Sequence, residues 1–216
     1  MNKFNQNYFN KATTKKEGIF KKYANFLHRE GVELVNLSIC DIGCATGNFV
    51  SGFISKNDCF GVDNSKYAIE TCKKKFPQCK NHFSVLDLNI AQKLPFRKKF
   101  QLITMFDVIE HIDNLANLKS LIVSSLDSKG YLLITTPNAN NFLRFIKRNL
   151  FTGEIDQTHV NLFSPYTLDF FLRRTGFRKI AISTPYNFFF KHNFLTKRLL
   201  FGGQIFALYQ LRKKKS

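Results

Sequence analysis

The sequence predicts an α/β protein built on a doubly wound, mostly parallel sheet. Three observations carry this. Short apolar runs alternate with amphipathic runs from Leu37 to Thr136, the order of strands and crossover helices. A glycine turn, Asp41-Ile42-Gly43-Cys44-Ala45-Thr46-Gly47, joins the first of these strands to the first helix. Three strands end in an aspartate, Asp41, Asp63 and Asp87, on one sheet edge. Buried acids are rare unless paired, so core packing does not explain that recurrence.

The elements follow in order. Residues 1–36 read as a basic, aromatic-dotted leader with a helix around Gly18–Arg29. Then come a strand over 38–42, a helix over 46–56, a strand over 58–62 and a helix over 65–75. Strands over 82–86 and 100–106, a helix over 113–127 and a strand over 130–136 continue the alternation. Parallel strands joined this way take right-handed crossovers. Pro137-Asn138 stops the fifth strand, and a loop-rich stretch covers 138–163. Ser164-Pro165 opens a helix over 164–175, as an N-cap followed by proline at the first helical position. Phe177–Thr184 and Gln204–Leu211 read as the last strands, with Gly202-Gly203 between them.

The glycine turn also carries chemistry. Its pattern is D-x-G-x-x-x-G, not the three-glycine pyrophosphate fingerprint. A carboxylate ahead of the glycines disfavours a phosphate and suits an ammonium. S-adenosylmethionine fits, because it joins a nucleoside, a sulfonium and an amino-acid tail without a phosphate. Asp63 lies 22 residues past Asp41, near the interval of about 20 at which a carboxylate meets ribose hydroxyls in such sheets.

From about Leu37 to Gly176 the chain resembles the class I S-adenosylmethionine-dependent methyltransferases. The branch it looks most like includes the ubiquinone- and menaquinone-pathway enzymes. The matching blocks include Asp41–Gly47, Gly61-Val62-Asp63-Asn64-Ser65, Leu86-Asp87-Leu88 and Leu94-Pro95-Phe96. After them come Met105-Phe106-Asp107-Val108-Ile109-Glu110-His111-Ile112, Tyr131–Asn138 and His159–Pro165. The resemblance implies a seven-stranded Rossmann-like sheet with an antiparallel last strand. It implies that Asp41, Gly43, Cys44 and Gly47 line the methionine end of the cofactor. It assigns the ribose to Asp63, and the adenine to Asn64, Asp87 and Leu88. Phe106 to His111 would border the methyl group. Two departures stand out: Gln101 follows Phe100 where the family usually has aspartate, and Asp127-Ser128-Lys129-Gly130 replaces Lys-Pro-Gly-Gly.

Methyl transfer from a sulfonium needs an aligned acceptor and, for a hydroxyl, a base. His111 is the leading candidate, with Asp107 and Glu110 beside it and His159 on the connection after the fifth strand. A small-molecule O-methyltransferase is the expected function. An RNA methyltransferase and a catalytically inactive cofactor-binding protein are the alternatives. The net charge of +18 raises the RNA reading, but the lysines are spread along the chain and read as background composition. The Phe-rich run Tyr186–Leu195 can pack on the sheet or touch a membrane surface.

At 216 residues, 44% of them hydrophobic, the chain has the length and apolar content of one packed domain, taken as 37–216 after the leader. Five cysteines without a C-x-x-C pair, and no secretory signal, point to free thiols and a cytoplasmic setting. No His/Cys cluster has ligand spacing, so no metal is expected.

Overall fold

The computed structural model describes residues 17–141, 156–184 and 202–212. The Phe-rich run and the basic ends at 11–16 and 213–215 lie outside these residues. Helix α1 spans Glu17–Arg29. Strand β1 (Ser38–Ile42), helix α2 (Asn48–Phe53), strand β2 (Asp58–Asp63) and helix α3 (Lys66–Lys75) follow. A 3₁₀ turn over Pro77–His82 leads into the short strand β3 (Phe83–Val85). Then come β4 (Phe100–Phe106), a 3₁₀ turn (Ile109–His111), α4 (Leu115–Ser125) and β5 (Leu126–Pro137). Helix α5 (Pro165–Arg173) and strands β6 (Phe177–Ser183) and β7 (Gln204–Leu211) close the chain.

The seven strands form one sheet in the order β3-β2-β1-β4-β5-β7-β6. Strand β7 inserts antiparallel to both β5 and β6; the other strands are mutually parallel. This is the expected Rossmann-like arrangement. Alternate residues feed two cores, as the pleat requires. Cys40, Ile42, Ile103 and Met105 join α4 and α5 on one face. Ile39, Leu102, Leu133 and Leu208 join α1, α2 and α3 on the other. Helix α1 buries Tyr23, Phe26 and Leu27 in that second core.

Side-chain caps set three helix starts. Ser65 accepts from the Ala68 amide at α3, and Asn114 accepts from the Asn117 amide at α4. At α5, Ser164 and Thr167 form a reciprocal capping box with Pro165 in the first turn. Helix α4 ends two residues before its expected limit. Leu126 turns extended and pairs with Phe100, so β5 begins earlier than the sequence suggests, with a register irregularity before Tyr131. Among the described residues no helix is long and apolar enough to cross a membrane.

Candidate active site

Every parallel strand points its carboxyl end to the same sheet edge, where doubly wound folds bind their ligands. The glycine turn after β1 lies there. Gly43 and Gly47 have φ of 75° and 71°, which only glycine adopts without cost. A Cβ on Gly43 would stand 2.3 Å from a Val108 methyl. The amides of Gly43 and Cys44 donate to the Val62 carbonyl at 2.8 and 3.0 Å. Asp63 completes the tie: one carboxylate oxygen accepts from the Ala45 amide and the other from the Ser65 amide, each at 2.9 Å. Burial raises the Asp63 pKa, and these two amides oppose that rise. Asp41, 2% exposed, accepts from the Thr104 hydroxyl at 2.7 Å.

A cavity of about 330 Å³ opens between this turn and the ends of β2, β3 and β4. Asp41, Asp63, Asp87 and Asp107 line it from strand ends and the loops that follow them, together with Phe20 and Tyr23 of α1. Asp107 has a φ of 56°, an uncommon conformation for a residue with a side chain. Its Oδ1 accepts from Gln204 Nε2 at 2.7 Å and from the Thr135 hydroxyl at 3.2 Å.

His111 lines the cavity at the end of the 3₁₀ turn after β4. Its Nδ1 lies 3.1 Å from the Thr158 carbonyl and 2.9 Å from the Thr158 hydroxyl. A carbonyl oxygen only accepts, so Nδ1 carries the proton and the lone pair sits on Nε2. Burial lowers the His111 pKa, which keeps the ring neutral. The His159 ring meets it edge-on, with centroids 4.6 Å apart. The Val160 and Asn161 amides donate to the Glu110 carbonyl at 2.9 and 3.0 Å, tying the two segments together.

Glu110 is 1% exposed. Its Oε2 accepts from the Thr136 hydroxyl at 3.0 Å, while Oε1 is buried without a hydrogen-bond partner. Burial, then the charge of Asp107, pushes its pKa up to about 8. The carboxyl is therefore neutral at pH 7, and His111 is the basic member of the Glu110–His111 pair. One ligand atom each from Glu110, His111 and His159 lies within 4.8 Å of the others, a set that can hold a divalent ion. No spacing in the sequence signals that set, because residues 110–111 and 159 meet only through the fold.

Comparison with known proteins follows the same lines. The methyltransferase domain family matches residues 15–182. The chain belongs to this family. The mitochondrial ubiquinone biosynthesis O-methyltransferase of Candida albicans is 29% identical over 126 residues, which cover 55% of this chain and 37% of that one. The chain thus spans little more than a third of that relative's length. An S-adenosylmethionine-dependent methyltransferase from Mesorhizobium loti matches with a TM-score of 0.66 at 16% identity, over 86% of this chain and 96% of that one. Magnesium protoporphyrin IX methyltransferase from Synechocystis, solved with bound SAH, matches with a TM-score of 0.62 at 16% identity, over 90% and 82%. A methyltransferase in complex with the Trm112 activator of Haloferax volcanii matches with a TM-score of 0.65 at 14% identity, over 91% and 90%. These structural likenesses concern the fold.

In this methyltransferase-family domain, the cavity gathers most of the residues singled out from sequence. Asp41, Gly43, Cys44, Asp63, Asn64, Asp87, Leu88 and Phe106 all line it, and so do Asp107 and His111. Gly47 does not; it supplies the left-handed residue before α2. Glu110 and His159 do not line the cavity either, and stand in the group around His111. Helix α4 takes its cap from Asn114. The sequence reading missed Phe20, Tyr23, Thr135, Thr158 and Gln204. The aromatic dotting of the leader was the available signal for the first two. Thr158 adjoins His159. Nothing local marks Thr135 or Gln204.

Proposed function

We propose that this methyltransferase moves the methyl group of S-adenosylmethionine to a hydroxyl oxygen of a small-molecule acceptor, with His111 as the base. In this reading the cavity beside the glycine turn holds the cofactor. Asp63 takes the ribose hydroxyls, Asp87 and Leu88 the adenine, and the turn from Asp41 to Cys44 the amino-acid tail. The acceptor hydroxyl gives its proton to Nε2 of His111. Its oxygen forms the new bond to the methyl carbon, the carbon–sulfur bond breaks, and the electron pair goes to sulfur. The observation that carries the reading is His111 itself: an imidazole lining the cavity just past Phe106, its tautomer set by Thr158 and its charged form disfavoured by burial. The name of the Candida albicans relative, an O-methyltransferase, supports oxygen as the target.

The test is methyl transfer from labelled cofactor into separate panels of small hydroxyl compounds and cellular RNA. Label in the small-molecule panel is the expected result. Label confined to RNA would overturn the small-molecule reading, and binding without transfer to either would favour a non-catalytic protein. RNA binding driven by background charge should fall steeply with salt.

One observation favours a second reading. The unpartnered Oε1 of Glu110, beside His111 and His159, suits a divalent cation. Such an ion would supply Lewis-acid stabilisation of an acceptor alkoxide. Glu110 would then bind as a carboxylate, and Thr136 would orient it. Metal analysis of the purified protein, and the effect of a chelator on its thermal melt, separate the two readings without an activity assay.

A further inference from the structure

Helix α5 has an outer face unlike that of an ordinary surface helix. Its inner residues Leu168 and Leu172 are buried in the core shared with α4. A helix packed this way normally turns polar residues to solvent. Here Tyr166 and Phe170, one turn apart on the outer side, are 76% and 53% exposed. On the segment that enters the helix, Val160 and Leu162 are exposed as well. The residues alternating with them turn inward: Asn161 donates to the Ile112 carbonyl at 2.7 Å, and Phe163 is buried.

Arginines stand beside these side chains. The Arg174 guanidinium lies 5.2 Å from the centre of the Phe170 ring. The Arg212 amide donates to the Gly176 carbonyl at 2.9 Å, which fastens Arg212 near the end of α5, where it lines one shallow groove with Tyr166, Phe170, Arg173 and Arg174. The acid of that groove, Asp169, is buried. It accepts from Lys179 at 3.0 Å and from the Tyr209 hydroxyl at 3.1 Å, and pairs with Arg173 at 3.3 Å. Among the described residues Arg174 and Arg212 pair with no acid. The face therefore joins protruding apolar groups to unneutralised positive charge. A second copy of this chain fits it poorly, because the same arginines would meet. A nucleic acid matches the charge only: Val160 and Leu162 offer no ring for a base to stack on, and Arg174 already lies over Phe170. An anionic bilayer matches both features. Aromatic and aliphatic side chains enter its interfacial layer, and arginines meet its lipid phosphates.

We propose that the outer face of α5, with Val160 and Leu162, docks this protein on an anionic membrane surface. Tyr166 and Phe170 enter the headgroup layer, and Arg174 and Arg212 hold lipid phosphates. The contact is peripheral, and it uses none of the residues assigned to the cavity or to methyl transfer.

The chain contains no tryptophan, so one introduced ring reports its own surroundings. Emission from Phe170→Trp should shift to the blue with vesicles of phosphatidylcholine and phosphatidylglycerol in equal parts, and not with phosphatidylcholine alone. Tyr67→Trp, at an exposed position on α3 across the sheet, should show no shift. In sedimentation with the same anionic vesicles, Arg174→Gln with Arg212→Gln should weaken binding by about tenfold or more, at about fivefold for each arginine at the surface. Lys66→Gln with Lys74→Gln on α3 removes the same charge and should stay within about twofold, because its distance from the bilayer exceeds the screening length. Tyr166→Ser with Phe170→Ser should weaken binding at unchanged net charge. Equal shifts at positions 170 and 67, no shift at 170, or equal losses from the two charge pairs would mean adhesion by overall charge and would overturn the docking face. Unchanged vesicle affinity in Tyr166→Ser with Phe170→Ser would overturn it too. So would binding of a single-stranded RNA oligomer that this double variant abolishes while vesicle binding persists, which would give the face to nucleic acid.

Discussion

Replacing Glu110 by glutamine should change how stability depends on pH. The carboxyl is buried between the end of β4 and Thr136 of β5, with Oε1 unpartnered. Its pKa rises from the ordinary 4.5 to about 8 in the folded protein. The unfolded chain therefore releases this proton near pH 4.5, and the folded chain only near pH 8. Between those values the folded state holds more protons, so raising the pH favours unfolding. Below pH 4.5 the effect vanishes, and above pH 8 the penalty is complete. At about 1.36 kcal/mol per pH unit, the rise corresponds to an upper bound of roughly 5 kcal/mol across that window. Glutamine has nearly the same shape and no proton to release. The gain of Glu110→Gln over the parent should therefore grow steadily from pH 5 to pH 8 and then level off. For a chain of this size, each kcal/mol moves the melting temperature by about 2–4 °C, so the widening should reach several degrees. Thermal or urea unfolding of both proteins at half-unit pH steps, with chelator present, provides the measurement. Parallel curves over pH 5–9 would refute the assignment of a neutral, desolvated carboxyl at Glu110.

Three further outcomes are expected. Asp63→Ala removes both the proposed ribose acceptor and the anchor for the Ala45 and Ser65 amides; it should weaken cofactor binding by about 1.5–3 kcal/mol in calorimetry. His111→Gln should lower the transfer rate by roughly 10²–10⁴ with cofactor affinity nearly intact, and the parent's kcat/KM should rise with pH about a midpoint below the ordinary histidine pKa. Equal rates for His111→Gln and the parent across pH 6 to 9 would exclude the base role. Gly43→Ala combines a positive φ with a Cβ 2.3 Å from Val108; it should destabilise the fold by about 2–4 kcal/mol, visible as a lowered melting temperature.

What was readable from the chain alone depended on how local the cause was. The turn Asp41–Gly47 announces itself because φ above zero at residues 43 and 47 demands glycine whatever surrounds them. The start of α5 is equally local: a serine cap, a proline and Thr167 act within a single turn. Strand-end acids mark one sheet edge because alternating β and α elements force every parallel strand to point the same way. Insertion of β7 between β5 and β6 was expected only through family resemblance, since no local signal orders the edge of a sheet.

The working parts of the site were decided by distance in space. Gln204 reaches Asp107 across 97 residues, and Thr158 meets His111 across 47. Helix α1, read as a leader, places Tyr23 flat against Phe106. The neutral state of Glu110 is invisible in the letters Ile-Glu-His, because a glutamate followed by a histidine usually reads as a carboxylate. Burial beside Asp107 reverses that, and burial belongs to the packed sheet rather than to any stretch of chain. Local backbone demands write the glycine turn into the sequence. The protonation states and the grouping of Glu110, His111 and His159 arise only when β4, β5 and the segment at 158–161 pack together, because desolvation and contact are properties of the assembled fold.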